Sequence, residues 1–516
     1  MLTMFSGSKI AEMPPTSSQL RPPHLRNRGT STSSVPTTNS ETINTTDAQE
    51  RRRLEHHEAD VVIVGAGIVG CAAAVAFGKQ GRSVLLLEKS LKEPDRIVGE
   101  LLQPGGVNAL EKLGMKDCLD DIDAIPCYGY QVSYHREPVR IAYPNNLVES
   151  DPSKPPEGRS FHHGRFISKL RAKARATPNV TVVETTVTDI VKSEYNNQVL
   201  GVESQTAGNK DYYFGAVTLV ADGYASKFRK EYIAQQPEVR SKFWGLELID
   251  AELPMPNHGH VILTDAPPIL IYQIGTHETR ILVDIPDGLP SASVKAGGVK
   301  NHMLNVALPN LPECVQPSFR RAIEAGKLRS MPNSFLPPQT QKTPGLIILG
   351  DAMNMRHPLT GGGMTVGFND VVTLSTLLSP ANVPSLEDTS AVLSAMSQFH
   401  WARKSGSSVI NILAMALYSL FAANTPQVEA LKNGCFRYFQ LGGKHISEPA
   451  GLLSGLIKNP LVLVYHFFSV AFYAVWCRLK EESVWKAPYV LTVESAMIVW
   501  TAACVIGPYL VWEVRR

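Results

Sequence analysis

Residues 60–88 constrain this chain more than any other stretch. The run DVVIVGAGIVG places a β-branched strand directly before Gly65, Gly67 and Gly70, and the small residues CAAAVAF continue as a helix. Ser83 to Leu87 forms the next apolar strand and ends at Glu88. This spacing fits a dinucleotide-binding βαβ unit. Gly65 makes a tight turn. Gly67, Ile68 and Val69 bring the helix start close to a pyrophosphate, Gly70 allows close helix packing, and Glu88 can accept from ribose hydroxyls. The fingerprint alone does not separate FAD from NAD.

A second strand, acidic turn and helix lies far downstream. The apolar run Leu346 to Leu349 ends at Gly350-Asp351, and RHPLTGGGM brings Gly361, Gly362, Gly363 and Met364 to a helix start. Glycines there let backbone N–H groups approach a ligand, and the positive end of the helix dipole favours negative charge. A carboxylate at the strand end suits sugar or polyol hydroxyls. Between these two stretches, VTLVADG (Val217 to Gly223) is another strand ending in Asp-Gly, followed by the basic helix start YASKFRK.

Other segments are read more coarsely. Val180 to Val187 is one strand. From about Phe243 to Pro286, HVILT, PILIYQI and TRILVDI alternate with turn residues, predicting an antiparallel sheet with no polar constellation standing out. Phe161 to Ala176 is a loop leading into a helix; its His162-His163 pair lacks further ligands at metal spacing, so no metal site is expected. Val409 to Ala423 is an apolar helix, read as core or cavity wall. Leu461 to Cys477 and Pro488 to Trp512 are long apolar stretches, the second broken by Glu494 and Pro508. A span needs about 20 apolar residues, so spanning, re-entrant and in-plane helices all remain open, with C-terminal attachment to membrane lipid favoured. Basic residues on both sides leave orientation undecided.

Composition narrows the partners. A net charge of +3 over 516 residues gives no reason to expect nucleic acid. Seven cysteines without a CxxC pair, and no secretory h-region, read as reduced thiols facing the cytosol or buried in lipid. Met1 to about Glu58 is rich in Ser, Thr, Pro and Asn, ends near Arg51-Arg52-Arg53 and predicts a disordered arm; Asn44-Thr45-Thr46 is a chance glycosylation match.

The three strand-end motifs, in this order, resemble flavin monooxygenases built like aromatic hydroxylases. KEPDRIVGELLQPGG, FHHGRF, VADG, LRSMPNSFLPP and NMRHPLTGGGMTVGFND resemble the squalene epoxidase family in particular. The resemblance implies an α/β fold, with a Rossmann-like FAD-binding domain, an inserted antiparallel β-sheet substrate domain and C-terminal membrane-associated helices. Its expected boundaries are 1–58 for the arm, 59–240 and 341–380 for the two parts of the FAD domain, 241–340 for the substrate sheet and 381–516 for the helical region.

By the same resemblance Arg96 and Arg171 contact FAD, Leu101 packs near it and Val187 lies near its adenine end. Asp351 holds the ribityl chain and Gly361 to Met364 face the flavin pyrimidine. Gln103 and Tyr130 stand beside the reactive edge as the catalytic pair. On chemistry alone, Arg96 also reads as a surface residue, Leu101 as core and Tyr130 as a packed strand residue. The implied reaction converts squalene to (S)-2,3-epoxysqualene with O₂, in ergosterol-type sterol biosynthesis. Electrons would come from an NADPH-cytochrome P450 reductase at the endoplasmic reticulum membrane, with the catalytic domain facing the cytosol. The lack of a second GxGxxG agrees with an external NADPH enzyme. Another flavin enzyme on an isoprenoid or aromatic substrate, or a non-enzymatic lipid carrier of the GDP-dissociation-inhibitor fold, remains an alternative at this point.

Overall fold

A computed structural model describes residues 57–145, 155–422, 425–482 and 487–514. The predicted disordered arm, apart from its last two residues, lies outside the described residues, as do Asn44-Thr45-Thr46, Arg51 to Arg53 and Arg515-Arg516.

Apolar runs rich in Val, Ile and Leu, buried on both faces, assemble into a parallel sheet. In spatial order its strands are Val180–Glu184, Val84–Glu88, Glu58–Val64, Asn209–Val220 and Leu346–Ile348. Val62 pairs with Leu85 on one side and Thr218 on the other, and Val220 pairs with Ile348. The carboxyl ends of the strands bearing Glu88, Ala221 and Gly350-Asp351 therefore share one edge, where ligands bind in open α/β sheets. Helices Ile68–Lys79 and Gly363–Leu377 pack together there. Their small residues permit close contact: a Cβ added at Gly367 would stand 2.8 Å from Val69 Cγ2.

Two local expectations are corrected. Val180 to Val187 is not one strand. The chain breaks at Thr185, whose N–H donates to the Glu88 carbonyl at 2.8 Å. A separate strand, Thr186–Lys192, then pairs antiparallel with Val199–Thr206. Val187 lies in this antiparallel extension, buried and opposite Ser204. YASKFRK does not start a helix at Tyr224, because Asp222 Oδ2 accepts the Lys227 N–H at 3.0 Å and holds a turn. Only Arg229–Tyr232 is helical.

The second sheet contains the predicted strands as Gly259–Leu263, Ile269–Gln273 and Glu278–Pro286. Glu238–Ile249 and Arg329–Phe335 extend it on one side. On the other side the much earlier strand Gly129–Tyr134 pairs in parallel with Gly259–Leu263, placing Tyr130 opposite Gly259, and Glu137–Ala142 completes the edge. One face packs on Met303, Phe319 and Ile323, and the other contributes Phe243, Val261 and Leu282 to a core shared with the C-terminal helices. The expectation of a sheet without polar clusters is also corrected. Arg280 forms a buried bidentate pair with Glu100, at 2.9 Å for both bonds, and Asp284 accepts from Asn333 at 2.9 Å.

The C-terminal region is helical. Thr389–Ala422 spans 34 residues, far longer than its apolar half suggested, and the catalytic body buries most of its apolar window. Pro460–Glu481 has 22 residues, about 33 Å of helix, which removes the shortfall expected from Leu461 to Cys477. Val490–Val514 continues through Pro508. Glu494 does not interrupt it, because Arg478 Nε donates to its carboxylate at 2.9 Å. All three helices are long and apolar enough to cross a membrane. The last two present Leu461, Phe472, Trp476, Leu491, Trp500 and Val514 outward.

Candidate active site

The first cleft opens at the carboxyl edge of the parallel sheet. The fingerprint glycines divide their work. Gly65 has φ +100°, where a side chain is strained, and a Cβ there would sit 2.7 Å from the Ala221 carbonyl oxygen. A Cβ at Gly70 would stand 1.8 Å from Gly65 O, so helix and turn are in direct backbone contact. Gly67 and Gly363 have nothing within 4 Å of a Cβ. Both line the cleft, with Ile68, Val69, Leu101, Gly361 and Met364. Each opens a helix start toward the cleft, where backbone N–H groups can meet negative charge.

Glu88 and Arg171 build the back of the turn. Glu88 Oε2 accepts the Ala66 N–H at 2.8 Å and lies 3.5 Å from Arg171 Nη2. Arg171 Nε donates to Ala66 O at 2.9 Å, and Nη1 to Lys92 O at 3.0 Å. The structure thus places Arg171 behind the glycine turn, holding it, and outside the set of residues lining the cleft. Arg96 does line the cleft, its guanidinium 5.3 Å from the Tyr224 ring centre. Gly65, Gly70, Glu88, Gln103, Val187 and Gly362 do not line the cleft; a Cβ at Gly362 would press on Ile410 at 2.3 Å.

Asp351 lines the cleft one residue beyond Gly350, which has φ +67°. Arg229, which the sequence reading passed over as one of several basic residues, ties the two acidic turns together. Its Nε donates to Ala352 O at 2.9 Å, and Nη2 donates to Gly223 O at 3.1 Å and Tyr224 O at 2.6 Å. Burial lowers its pKa, with the negative charges of Asp222 and Asp351 acting against that.

At the other end of the cleft the two sheets meet. Gln103 is fully buried, and its Nε2 donates to the Tyr130 hydroxyl and to Thr360 O at 2.8 Å. Tyr143, a residue not anticipated, donates its hydroxyl to Gln103 Oε1 at 2.7 Å. The Tyr130 and Tyr143 rings meet edge to face at 6.1 Å. Burial raises the pKa of both phenols, so each is a neutral hydrogen-bonding group. Gly361, at φ +62°, takes the chain past this cluster; a Cβ there would meet Gln103 Nε2 at 3.2 Å.

Beyond Tyr130 lies an apolar chamber between the second sheet and the C-terminal helices. Leu413, Leu417, Phe421, Phe436, Phe439 and Leu453 form much of its wall. Tyr130, Val261 and Leu359 line both spaces and form their junction. In the His pair, His163 Nδ1 meets Gly99 O at 2.8 Å, whereas His162 Nε2 lies 3.9 Å from Glu278. His135, Asp265 and Glu429, which the sequence reading did not connect, do converge at ligand distance, on largely solvent-facing positions. All seven cysteines are unpaired, and burial pushes the Cys71 thiol up to about 12.

Comparison with known proteins agrees with this geometry. A family model described as squalene epoxidase matches residues 214–492, and one for FAD-dependent oxidoreductases matches residues 60–94. The squalene epoxidase of Aspergillus fumigatus is 64% identical over 90% of this chain and 96% of its own length. That of Saccharomyces cerevisiae is 40% identical over 88% and 96%, and the squalene monooxygenase of Mus musculus is 42% identical over 89% and 78%. Among solved structures, p-nitrophenol 4-monooxygenase from Pseudomonas putida superposes with a TM-score of 0.62 at 18% identity, covering 78% of this chain and 98% of that one, a likeness of fold. With a family model matching more than half of the chain and relatives at 40–64% identity covered over 78–96% of their own length, the chain belongs to the squalene epoxidase family.

Proposed function

We propose that the chain is an FAD-dependent squalene epoxidase of sterol biosynthesis, inserting one atom of O₂ across a terminal double bond of squalene. The observation that carries this is the shared wall at Tyr130, Val261 and Leu359, where the cleft holding the glycine turn and Asp351 adjoins an apolar chamber. Family membership supplies the substrate, and the chamber suits it. A long isoprenoid offers several hundred Å² of surface, and at about 25 cal/mol per Å² burial alone provides its affinity.

Bound FAD supplies the chemistry: reduced by two electrons, it activates O₂ for transfer to an alkene. The chain's residues supply position and environment. Gly67, Ile68 and Val69 receive the diphosphate on the turn that Gly65 and Gly70 shape, with Glu88 near the adenosine ribose and Arg171 holding that turn. Asp351 binds the ribityl hydroxyls. Gly363 and Met364 would offer N–H groups at the helix start, where negative charge on the reduced ring is favoured, while the Gly361 N–H donates to Pro358 O at 3.0 Å and shapes the turn before it. Tyr130 stands at the junction, where the alkene must enter, with Gln103 buried behind it. Gln103, held by Tyr143 and Thr360, positions the Tyr130 hydroxyl, which stays neutral and orients the reacting oxygen while the surrounding apolar wall excludes water.

Electrons reach the flavin from a separate NADPH-cytochrome P450 reductase. The outward apolar residues of Pro460–Glu481 and Val490–Val514 attach the enzyme to membrane lipid of the endoplasmic reticulum, with the cleft toward the cytosol and the chamber close to the bilayer. A chamber-filling variant tests the arrangement. Leu417→Trp, tested in the full chain, should abolish squalene epoxidation while leaving FAD content and flavin reduction intact. Undiminished epoxidation would place the substrate elsewhere.

A further inference from the structure

A chain of buried polar side chains connects the end of the last apolar helix to the cofactor cleft. Glu513 is 8% exposed, and its Oε1 accepts from Asn411 Nδ2 at 2.8 Å. The same amide donates to Asn354 Oδ1 at 3.1 Å. Asn354 is fixed in orientation, because its own Nδ2 donates to Leu336 O at 2.8 Å. Its oxygen therefore faces the donors, and it also accepts from Arg403 Nη2 at 3.1 Å and Arg356 Nη2 at 2.9 Å.

The two guanidinium groups differ in what balances them. Arg403 is neutralised by a bidentate pair with Asp370, at 3.0 and 2.7 Å. The acceptors that Arg356 reaches are neutral: Asn354 O at 2.7 Å, Asn354 Oδ1, and Gly363 O at 3.5 Å. Arg356 is 8% exposed, its Nε is buried without a hydrogen-bond partner, and it lines the cleft with Asp351, Gly361 and Gly363. Burial depresses its pKa, opposed first by the charge of Asp351. A buried cation balanced by neutral acceptors is costly unless an anion arrives. Here it stands beside the start of a 15-residue helix whose dipole has the same sign.

We propose that Arg356 stabilises the reduced, anionic flavin, and that Glu513 acts as a positioning residue that holds Arg356 toward the cleft through Asn411 and Asn354. The inference rests on the FAD reading above and extends it: the last apolar helix becomes part of the redox site, so its seating sets how readily the flavin accepts electrons.

Charge and position predict opposite signs for Glu513, which makes the test decisive. Removing a negative charge, by itself, favours an anionic flavin and raises its midpoint potential. Releasing Arg356 lowers it. The experiment measures the flavin midpoint potential and FAD dissociation constant of the full-length protein in detergent. Arg356→Gln should lower the potential and weaken FAD binding by about tenfold, the loss of one charge-assisted hydrogen bond. Glu513→Leu should lower the potential, whereas Glu513→Gln, which keeps an acceptor for Asn411, should lie at or above the parent. If Glu513→Leu does not fold, Asn411→Leu breaks the same chain one link nearer and should lower the potential likewise. An Arg356→Gln protein with parental potential, or a Glu513→Leu protein at or above Glu513→Gln, overturns the proposal. A parent protein that takes up no FAD overturns the cofactor reading itself, an outcome distinct from flavin-loaded variants with unchanged potentials.

Discussion

The Tyr143 hydroxyl donates to Gln103 Oε1 at 2.7 Å, and this one bond decides which way the Gln103 amide faces. With its oxygen committed, the amide nitrogen is directed at Tyr130 and at Thr360 O. Two neighbouring strands of the second sheet, one carrying Tyr130 and the other leading into Tyr143, are thus tied to the Thr360 turn through a single buried side chain. The Tyr130 hydroxyl is thereby held in place, accepting from Gln103 and lying 3.4 Å from Thr360 O, in a residue that lines both cleft and chamber.

Removing that hydroxyl should uncouple oxygen transfer from flavin chemistry. Tyr130→Phe is expected to lower epoxidation about 100-fold with FAD content unchanged, a loss typical of one preorganised donor. Tyr143→Phe, one step removed, should cost less. Turnover with squalene, set against flavin reoxidation by O₂, checks both, and equal rates in Tyr130→Phe and parent would exclude the role.

The fingerprint glycines predict two different failures. Gly70→Ala has no room, with Gly65 O at 1.8 Å, and should cost at least about 3 kcal/mol of stability. Gly67→Ala meets nothing within 4 Å in the protein, so the apoprotein should unfold at the parental temperature while FAD binding is lost. Thermal unfolding with and without FAD separates the two.

Asp351→Ala should weaken FAD binding about 10- to 100-fold, the worth of charge-assisted hydrogen bonds to hydroxyls. Flavin content after dialysis is the readout. A variant that retains full flavin and activity would sink the assignment of Asp351.

The buried phenols make the protein sensitive to base. Tyr130, Tyr143 and Tyr272 all have pKa values raised by burial. A group that holds its proton more tightly when folded contributes stability below its unfolded pKa. That contribution is lost as pH rises through the unfolded value, about 10 for tyrosine, toward the higher folded value. Unfolding free energy should therefore fall above about pH 10, and less steeply in Tyr130→Phe. Denaturant titrations across that range test the slope.

The outward face of the last helices predicts membrane binding. Leu461 is 74% and Trp500 71% exposed, and burying each in lipid is worth about 1.5–3 kcal/mol. The double variant Leu461→Asp/Trp500→Asp should partition into phospholipid vesicles at least tenfold less. Vesicle co-sedimentation reads this directly.

What the sequence disclosed and what it withheld follow sequence distance. The glycine turn, Glu88 and Gly350-Asp351 were readable because turn chemistry and strand ends are local. Tyr143, Arg229 and Asn354 were not, since each acts on partners that only the fold brings near: Arg229 reaches Ala352 across 123 residues. The second sheet shows the same division. Its hairpin strands followed from alternation, but Gly129–Tyr134 joins by parallel pairing with a strand more than 100 residues later, a register that no local pattern encodes. Family resemblance placed Tyr130 and Gln103 at the reactive edge, and the geometry adds how they are held. Apolar windows underestimated the helices at 389–422 and 460–481, because helix continues through charged residues whose partners lie on other elements, such as Arg403 with Asp370.

The most direct test supplies the detergent-purified full chain with squalene, O₂, NADPH and a microsomal NADPH-cytochrome P450 reductase, and identifies the product by mass spectrometry. The account predicts a gain of one oxygen atom that requires both bound FAD and the reductase. Flavin that is demonstrably reduced and reoxidised, with squalene recovered unchanged, would contradict it.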